Sequence, residues 1–432
     1  MAVVCRSSAG WLLDELSLIN TWYQAGRGQG AEPVSPTSQQ QHSPGTLYRL
    51  KDDLFTVLTP YFSLQPSPAA TEPSTARSGC PTAQCKAVRK KRKRSSVFNQ
   101  GELDALEYHK KISDVILEGS QLLIQDGFKK GLLQPVSRTG EEKATIVTDR
   151  CCHISNLAEL CDMTKHMPCT TVPEYTVNVL GTGGPVGFSR DTDYVSRITE
   201  NNSDWPQLIH LVGEKYLMPP KSSFLLSDIS YMEPLLHYKK YSVIVIDPPW
   251  ENKSVKRSKR YTYLTPVEIK QLPIPALASP NCLVVTWVTN RQKHLRFVKE
   301  ELYPHWSVIP LAEWHWVKIT QSGEFVFPIN SAHKKPYEIL VLGRLMNADT
   351  AVARETEKDL PPIPQHKIIV SVPCKLHSHK PPLTEVLKEY VSPDVEHLEL
   401  FARNLQPGWT SWGNEVLKFQ HMDYFIPLET GN

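Results

Sequence analysis

The sequence predicts an α/β fold over its C-terminal half, and three observations carry that reading. From about Asn201 onward, short apolar runs recur: FLLSDIS, YSVIVIDPP, NCLVVTWVT, LAEWHWVKIT, YEILVLGR, KIIVSVP and HLELFAR. Several are unbroken strings of four to six apolar residues, as expected of strands covered on both faces. Helical stretches lie between them, notably RQKHLRFVKEELYP and PPLTEVLKEYV. This alternation predicts a mostly parallel sheet. In such sheets ligands bind beyond the carboxyl ends of the strands.

The N-terminal part has a different texture, expected to be mostly helical and partly disordered. Residues 1–85 form a first segment, largely of low complexity. Within it GWLLDELSLINTWYQ, after Ala9, has helical apolar spacing and is expected to pack on a later domain. Residues 26–45 and 64–85 are rich in small and polar residues. They cannot bury enough surface to offset chain entropy, which predicts disorder. Between them LYRLKDDLFTVLTPYF is expected to form one short ordered element. Residues 86–200 open on the basic run Lys86–Arg94. Leu103, Leu106, Ile112, Ile116, Leu122 and Leu123 then predict one or two amphipathic helices. Residues 131–200 show no clear pattern. Residues 201–432 hold the α/β domain.

Composition sets the broad class. A chain of 432 residues, 40% hydrophobic, can bury a sizeable core. The formal net charge of +3 is too mild to name a nucleic-acid partner by itself. No run approaches the roughly 20 apolar residues of a membrane helix. The N-terminus meets Asp14 and Glu15 before any long apolar stretch, so no secretory signal is expected. Nine cysteines, an odd number, suggest free thiols in a reducing compartment. The Lys86–Arg94 run reads as a nuclear-localisation signal or a phosphate-binding strip. Nucleus is the expected location, with cytosol second.

The sharpest motif is Asp247-Pro248-Pro249-Trp250, directly after YSVIVI. Two prolines cannot donate backbone hydrogen bonds, so they end the strand and hold the chain extended. Asp247 is thereby presented at the strand's carboxyl edge, and Trp250 is expected to project over the same mouth as a stacking face. An aromatic exocyclic amine is a poor nucleophile because its lone pair is delocalised. A carboxylate and a proline carbonyl can accept from its two N–H groups. That draws the nitrogen toward tetrahedral geometry as an electrophile arrives. The bland alternative is a strand-ending proline turn with a satisfied surface carboxylate.

Several separated motifs, in order, decide between these readings: LLSDIS, VIVIDPPW, LVVTWVTNR, EWHWVKIT, SHKP and ELFARNLQPGWTSWGNE. Together they resemble the MT-A70 adenine-amine methyltransferases over roughly residues 201–425. The resemblance implies a Rossmann-like methyltransferase sheet, S-adenosyl-L-methionine as cofactor and adenine N6 as target. It places Asp228 and Ile229 at the cofactor's adenine, and Asp247 between its methionine end and the target amine. Lys335 matches a lysine near the cofactor's polar groups, with the surrounding alignment offset by two residues. Arg403 matches the arginine that contacts the cofactor ribose, and Asn414 and Glu415 the pair that completes the site. The loop after Arg403 is two residues shorter than in the family's messenger-RNA enzyme and lacks its histidine. Asn404 is expected to cover that contact. Taken singly, an aspartate such as Asp228 more often caps a turn.

Beside the motif, ENKSVKRSKRYTYLT sets Lys253, Lys256, Arg257, Lys259, Arg260 and Tyr261 close together. Cations that meet phosphates and aromatics that stack on splayed bases suit a single-stranded nucleic acid. RNA is the favoured partner, with an internal 2′-O-methyladenosine of a spliceosomal small nuclear RNA implied by the resemblance; DNA is the alternative. No membrane or obligate protein partner is called for. A non-catalytic nucleic-acid-binding scaffold is the reading from another class, and would be expected to lose Asp247 or the Arg403/Asn414 set. Two decoys are set aside. Gly181-Thr182-Gly183-Gly184 lacks a strand–turn–helix context. Cys151, Cys152, His153, Cys161, His166 and Cys169 fit no standard zinc spacing, so no metal is expected.

Overall fold

The computed structural model describes residues 3–24, 46–61, 100–135, 161, 177–180, 194–251, 263–331, 334–346 and 360–428. Its strands in the N-terminal part are β1 (Val3–Arg6), β2 (Gly10–Leu13), β3 (Leu47–Leu50) and β4 (Asn178–Val179). Then come β5 (Ile198–Asn201), β6 (Gln207–Leu211), β7 (Glu214–Met218), β8 (Ser222–Leu226), β9 (Tyr241–Ile246) and β10 (Ala278–Val288). The last are β11 (Val308–Lys318), β12 (Tyr337–Leu345), β13 (His366–Ser371), β14 (His397–Leu400), β15 (Trp409–Gly413) and β16 (Phe425–Leu428). Each of the seven apolar runs overlaps one of these strands.

Among the described residues, twelve strands pair in one sheet, in the order β1-β2-β13-β11-β12-β10-β9-β14-β15-β8-β5-β4. Pairing is parallel from β10 through β9, β14 and β15 to β8, and from β11 through β13 to β2. Strand β12 lies antiparallel between β10 and β11, so those two blocks point the same way. Strand β9 sits where the chain's course reverses. Strand β10 extends the sheet on one side, while β14 and β15 return on the other. A crevice opens at such a switch point, and Asp247 is the residue that follows β9 there.

Both faces of β9 are covered, which is why its sequence is apolar without a break. Val243 and Val245 join a layer with Trp287, Trp314, Trp316 and Trp409. Ile244 and Ile246 face the opposite layer with Val284 and Val341. The expected amphipathic segment is one helix, α2 (Gln100–Lys129), whose Ile112, Ile116 and Leu123 enter that second layer. A Cβ at Gly119 would lie 2.9 Å from Ile368, and one at Gly127 2.7 Å from Leu12. The helix therefore approaches the sheet closely at both points. No described helix is long and apolar enough to cross a membrane.

One expectation is corrected here. Gly10–Leu13, read as the start of a helix, is the fully buried strand β2, and the helix α1 (Glu15–Gln24) begins after it. A four-residue apolar run carries no period that separates strand from helix. Pairing with β13 decides it: Ile368, Ile369, Val370 and Ser371 lie opposite Gly10, Trp11, Leu12 and Leu13. The contact is tight enough that a Cβ at Gly10 would sit 1.8 Å from the Ile368 carbonyl oxygen. Gly10→Ala is therefore expected to lower stability by about 2–3 kcal/mol, read from urea unfolding of the full chain.

Candidate active site

One edge of the sheet, where its parallel strands end, carries a linked row of six charged side chains. Asp247 follows β9, and its backbone N–H is bonded to the Leu400 carbonyl at 3.2 Å, which fixes it against β14. After β14 the chain turns at Phe401, in the left-handed region at φ 59°. Arg403 comes next, bringing its guanidinium back over the sheet edge. Its Nη1 donates to Asp247 Oδ2 at 3.0 Å and its Nε to Glu415 Oε2 at 3.1 Å. Glu415 comes just after β15. Gly413, at that strand's end, admits the close crossing of Ala402, whose carbonyl would be 3.0 Å from a Cβ there.

On the other side of Asp247, Lys380 Nζ lies 3.7 Å from Oδ1. It also bonds Glu338 on β12, whose second oxygen bonds Lys318 on β11. The result is a chain of alternating charge: Glu415, Arg403, Asp247, Lys380, Glu338, Lys318. Asp247, Lys380, Arg403 and Glu415 side chains are each 16% exposed or less. Burial works against the charge on Arg403, but Asp247 and Glu415 outweigh it and raise its pKa. The same holds for Lys380, raised by Asp247 and Glu338 against burial. Burial would raise Glu338, yet Lys380 and Lys318 hold its carboxyl well below the usual range. Lys380 and Glu338 were not singled out from the sequence. For Lys380 the signal was present, since it stands in SHKP.

Asp228 follows β8 at the same edge. Its Oδ1 accepts from the Ser230 backbone N–H at 3.0 Å and from Ser230 Oγ at 2.6 Å. Ile229 is partly buried against the α2-side layer. Trp412 Nε1 donates to Ser227 Oγ at 2.9 Å and to the Tyr231 carbonyl at 3.0 Å, so β15 braces this loop. Asn414 lies between Gly413 and Glu415, its carbonyl 4.0 Å from Cys161 Sγ. Asn404 is buried and lines a small cavity with Ile19, His379 and Phe419, on the side of the loop that faces α1. Lys335 is placed apart from the charge chain: Nζ reaches the Ile329 carbonyl at 3.5 Å. Lys253, Lys256, Arg257, Lys259, Arg260 and Tyr261 lie outside the described residues, as do the Lys86–Arg94 run and the glycines at 181–184.

The MT-A70 family profile matches residues 241–415, from the first residue of β9 to Glu415. Across the full length of both chains, the sequence is 50% identical to the N(6)-adenine-specific methyltransferase METTL4 of Homo sapiens. The chain belongs to the MT-A70 family. It is an adenine N6-methyltransferase that uses S-adenosyl-L-methionine. More distant relatives match about half of the chain. The N6-methyladenosine RNA methyltransferase MTA1 of Pyricularia oryzae is 35% identical over 227 residues, 50% of this chain and 58% of its own. The DNA N6-methyl methyltransferase of Caenorhabditis elegans is 34% identical over 218 residues, 49% of this chain and 56% of its own.

The donor set of this MT-A70 enzyme suits its cofactor. S-adenosyl-L-methionine carries a carboxylate, an ammonium and ribose hydroxyls, and the site offers cations and carboxylates alternating within one mouth. The expected open stacking face at Trp250 is corrected. The residue is 8% exposed, its indole N–H is bonded to the Trp287 carbonyl at 2.9 Å, and its ring is stacked on His294 at 4.8 Å. His294 is neutral at physiological pH, its pKa pushed down to about 4 by burial with Arg291 and Lys293 adding. Trp250 thus pins the motif to the sheet. Trp250→Ala is expected to cost about 3–5 kcal/mol of stability, measured by urea unfolding. Its loss of activity would track loss of fold.

Glu399 on β14 is buried behind Asp247 and bonded by Gln406 Nε2 at 3.1 Å. Burial and the nearby Asp247 push its carboxyl up to about 7 from 4.5. The folded state holds this proton more tightly than the unfolded chain. Its contribution to stability is therefore full below about pH 4.5 and lost as pH rises through about 7. Between about pH 5 and pH 8, Glu399→Gln should lose about 2–3 kcal/mol less unfolding free energy than the natural protein. Urea unfolding at the two pH values checks this.

Proposed function

We propose that the protein methylates N6 of adenosine in RNA, and that its target is an internal 2′-O-methyladenosine of a spliceosomal small nuclear RNA. The observation that carries the chemistry is Asp247, presented at the switch point and held between Arg403 and Lys380. The likeness to an RNA methyltransferase supports RNA, and the Lys86–Arg94 run fits a nuclear substrate. DNA adenine is the second reading, supported by the likeness to the nematode DNA enzyme.

In this reading the cofactor supplies an electrophilic methyl group on a sulfonium. Asp247 accepts one N–H of the target amine. The Pro248 carbonyl, which already accepts from the Trp250 backbone N–H at 2.8 Å, has a second lone pair for the other. Of the two cations at Asp247, Lys380 makes the looser contact, and it is the one placed to meet the cofactor's carboxylate. Arg403, fixed at both ends, orients Asp247 and Glu415, with Glu415 and Asp228 as acceptors for cofactor hydroxyl and amine groups. Ile229 and Asn414 accompany Asp228 and Glu415 at the same edge, whereas Asn404 faces the cavity on the α1 side and Lys335 lies apart from the charge row. The loop holding Lys253, Lys256, Arg257, Lys259, Arg260 and Tyr261 meets the nucleic acid. Proximity and fixed charges supply the rate, with the base unstacked before reaction.

The test offers matched RNA and DNA oligonucleotides, with and without a 2′-O-methyl on the target adenosine, to the protein and to Asp247→Ala. Products are quantified by mass spectrometry of nucleosides. Asp247-dependent N6-methyladenosine in RNA, highest with the 2′-O-methyl, is expected, with a loss of about 100-fold or more in the variant. Greater turnover on DNA would reject the RNA reading.

A further inference from the structure

The family-matched span begins at Tyr241, yet a side chain from the first helix reaches the same sheet edge. Because β2 runs parallel beside β13, its carboxyl end arrives where the β13 strand also ends. Glu15, which opens α1 there, is fully buried. Its Oε1 accepts from Ser371 Oγ, and Ser371 Oγ in turn accepts from Trp316 Nε1 at 2.8 Å. The direction of that relay is fixed, since the indole can only donate.

Among the described residues Glu15 Oε2 has no hydrogen-bond partner, and it faces His379 Nδ1, also buried and also unpartnered, at 4.0 Å. Two orphaned polar atoms facing each other in a closed space are an unmade hydrogen bond. The His379 ring is held between Phe55 at 5.9 Å and Phe419 at 4.9 Å. The next residue is Lys380, the cation beside Asp247. Burial favours the neutral form of both groups: Glu15 is pushed up to about 8, against Ser371 and Lys318, and His379 is pushed down to about 4. A protonated Glu15 is a donor and a neutral His379 Nδ1 an acceptor, so the pair is matched. Closing the gap by about 1 Å would give an ordinary O–H···N bond.

We propose that Glu15 is a positioning residue of the methyltransferase: its carboxylic acid hydrogen-bonds His379 Nδ1 and thereby holds Lys380 at Asp247 to receive the cofactor. The N-terminal unit then takes part in cofactor binding as well as in the sheet. A second tie supports this. The Lys375 backbone N–H, in the same loop, donates to the Leu54 carbonyl at 2.6 Å, so the loop is held from the N-terminal part at two points.

The inference rests on Lys380 as the cofactor's partner, and the experiment separates the two. Cofactor affinity by calorimetry, KM for S-adenosyl-L-methionine, kcat and melting temperature are measured on the full chain. The variants are Glu15→Leu, Glu15→Gln and Lys380→Met. Expected are weaker cofactor binding in Lys380→Met and a rise of about 5–20-fold in KM with little change in kcat in Glu15→Leu. Rescue is expected in Glu15→Gln, whose amide can both accept from Ser371 and donate to His379. If Lys380→Met binds the cofactor normally, the site reading fails and this inference with it. If Lys380→Met is impaired and Glu15→Leu is not, only the inference fails. Nitrogen NMR of His379 in the natural protein gives an answer that does not depend on a variant folding. A hydrogen-accepting Nδ1 with the proton on Nε2 is expected, and a proton on Nδ1 would overturn the proposal.

Discussion

The alternating row Glu415–Arg403–Asp247–Lys380–Glu338–Lys318 constrains the rest of the structure, because buried charges are tolerable only in company. Taking an ion out of water costs several kcal/mol even after relaxation, and a well-placed opposite charge must offset it. Each interior member of this row has one opposite charge on either side. Three carboxylates meet three cations, so the row balances internally. The carboxyls packed around it that would upset the balance, Glu399 and Glu15, are the ones burial pushes toward the neutral form. Charge state and geometry therefore constrain each other: removing one member leaves its neighbour buried and unpaired.

The sheet's direction makes such a row possible. Parallel strands bring their carboxyl ends to a common edge, so residues far apart in sequence emerge side by side. Antiparallel β12 contributes from its start, Glu338 being its second residue. The chain beyond each strand must leave the sheet without carrying Asp247 or Arg403 into solvent. The two prolines after Asp247 do this on β9, and the left-handed Phe401 does it on β14. Trp250 then locks the proline turn by burying its ring against His294. An indole used in that way holds the carboxylate still, which is worth more to a reaction governed by orientation than another open aromatic surface.

Much of this was legible in the sequence because the physics is local. Strands covered on both faces must be unbroken apolar runs, and a double proline must end one. Asp247 could be placed because it follows such a run and precedes the double proline, and Arg403 and Glu415 because ELFARNLQPGWTSWGNE resembles the family's motif. Lys380 and Glu338 escaped notice because a lysine in a loop and a glutamate in a strand look like ordinary surface charge until the fold sets them face to face. Gly10–Leu13 misled for a related reason. Its conformation is decided by Ile368 and its neighbours, more than three hundred residues away, and no local period encodes that pairing. Trp250 was placed correctly along the chain, but the direction of its ring depends on the Trp287 carbonyl and His294.

The same logic bears on where the catalytic unit begins. A sheet edge built from β10 to β8 would suffice to hold Asp247, Arg403 and Glu415, all within the family-matched span. Lys380 is different. It hangs from the loop after β13, and the strand beyond β13 is β2, from the N-terminus. Without β2, one side of β13 would expose its backbone groups, and Ser371 would lose Glu15 as its acceptor. The cation nearest the looser side of Asp247 is therefore supported by residues that precede the matched span by more than two hundred positions. In a site organised by charge balance, support for a cation is support for its partner carboxylate. By that measure the first strands of the chain belong to the active unit as much as the motif does.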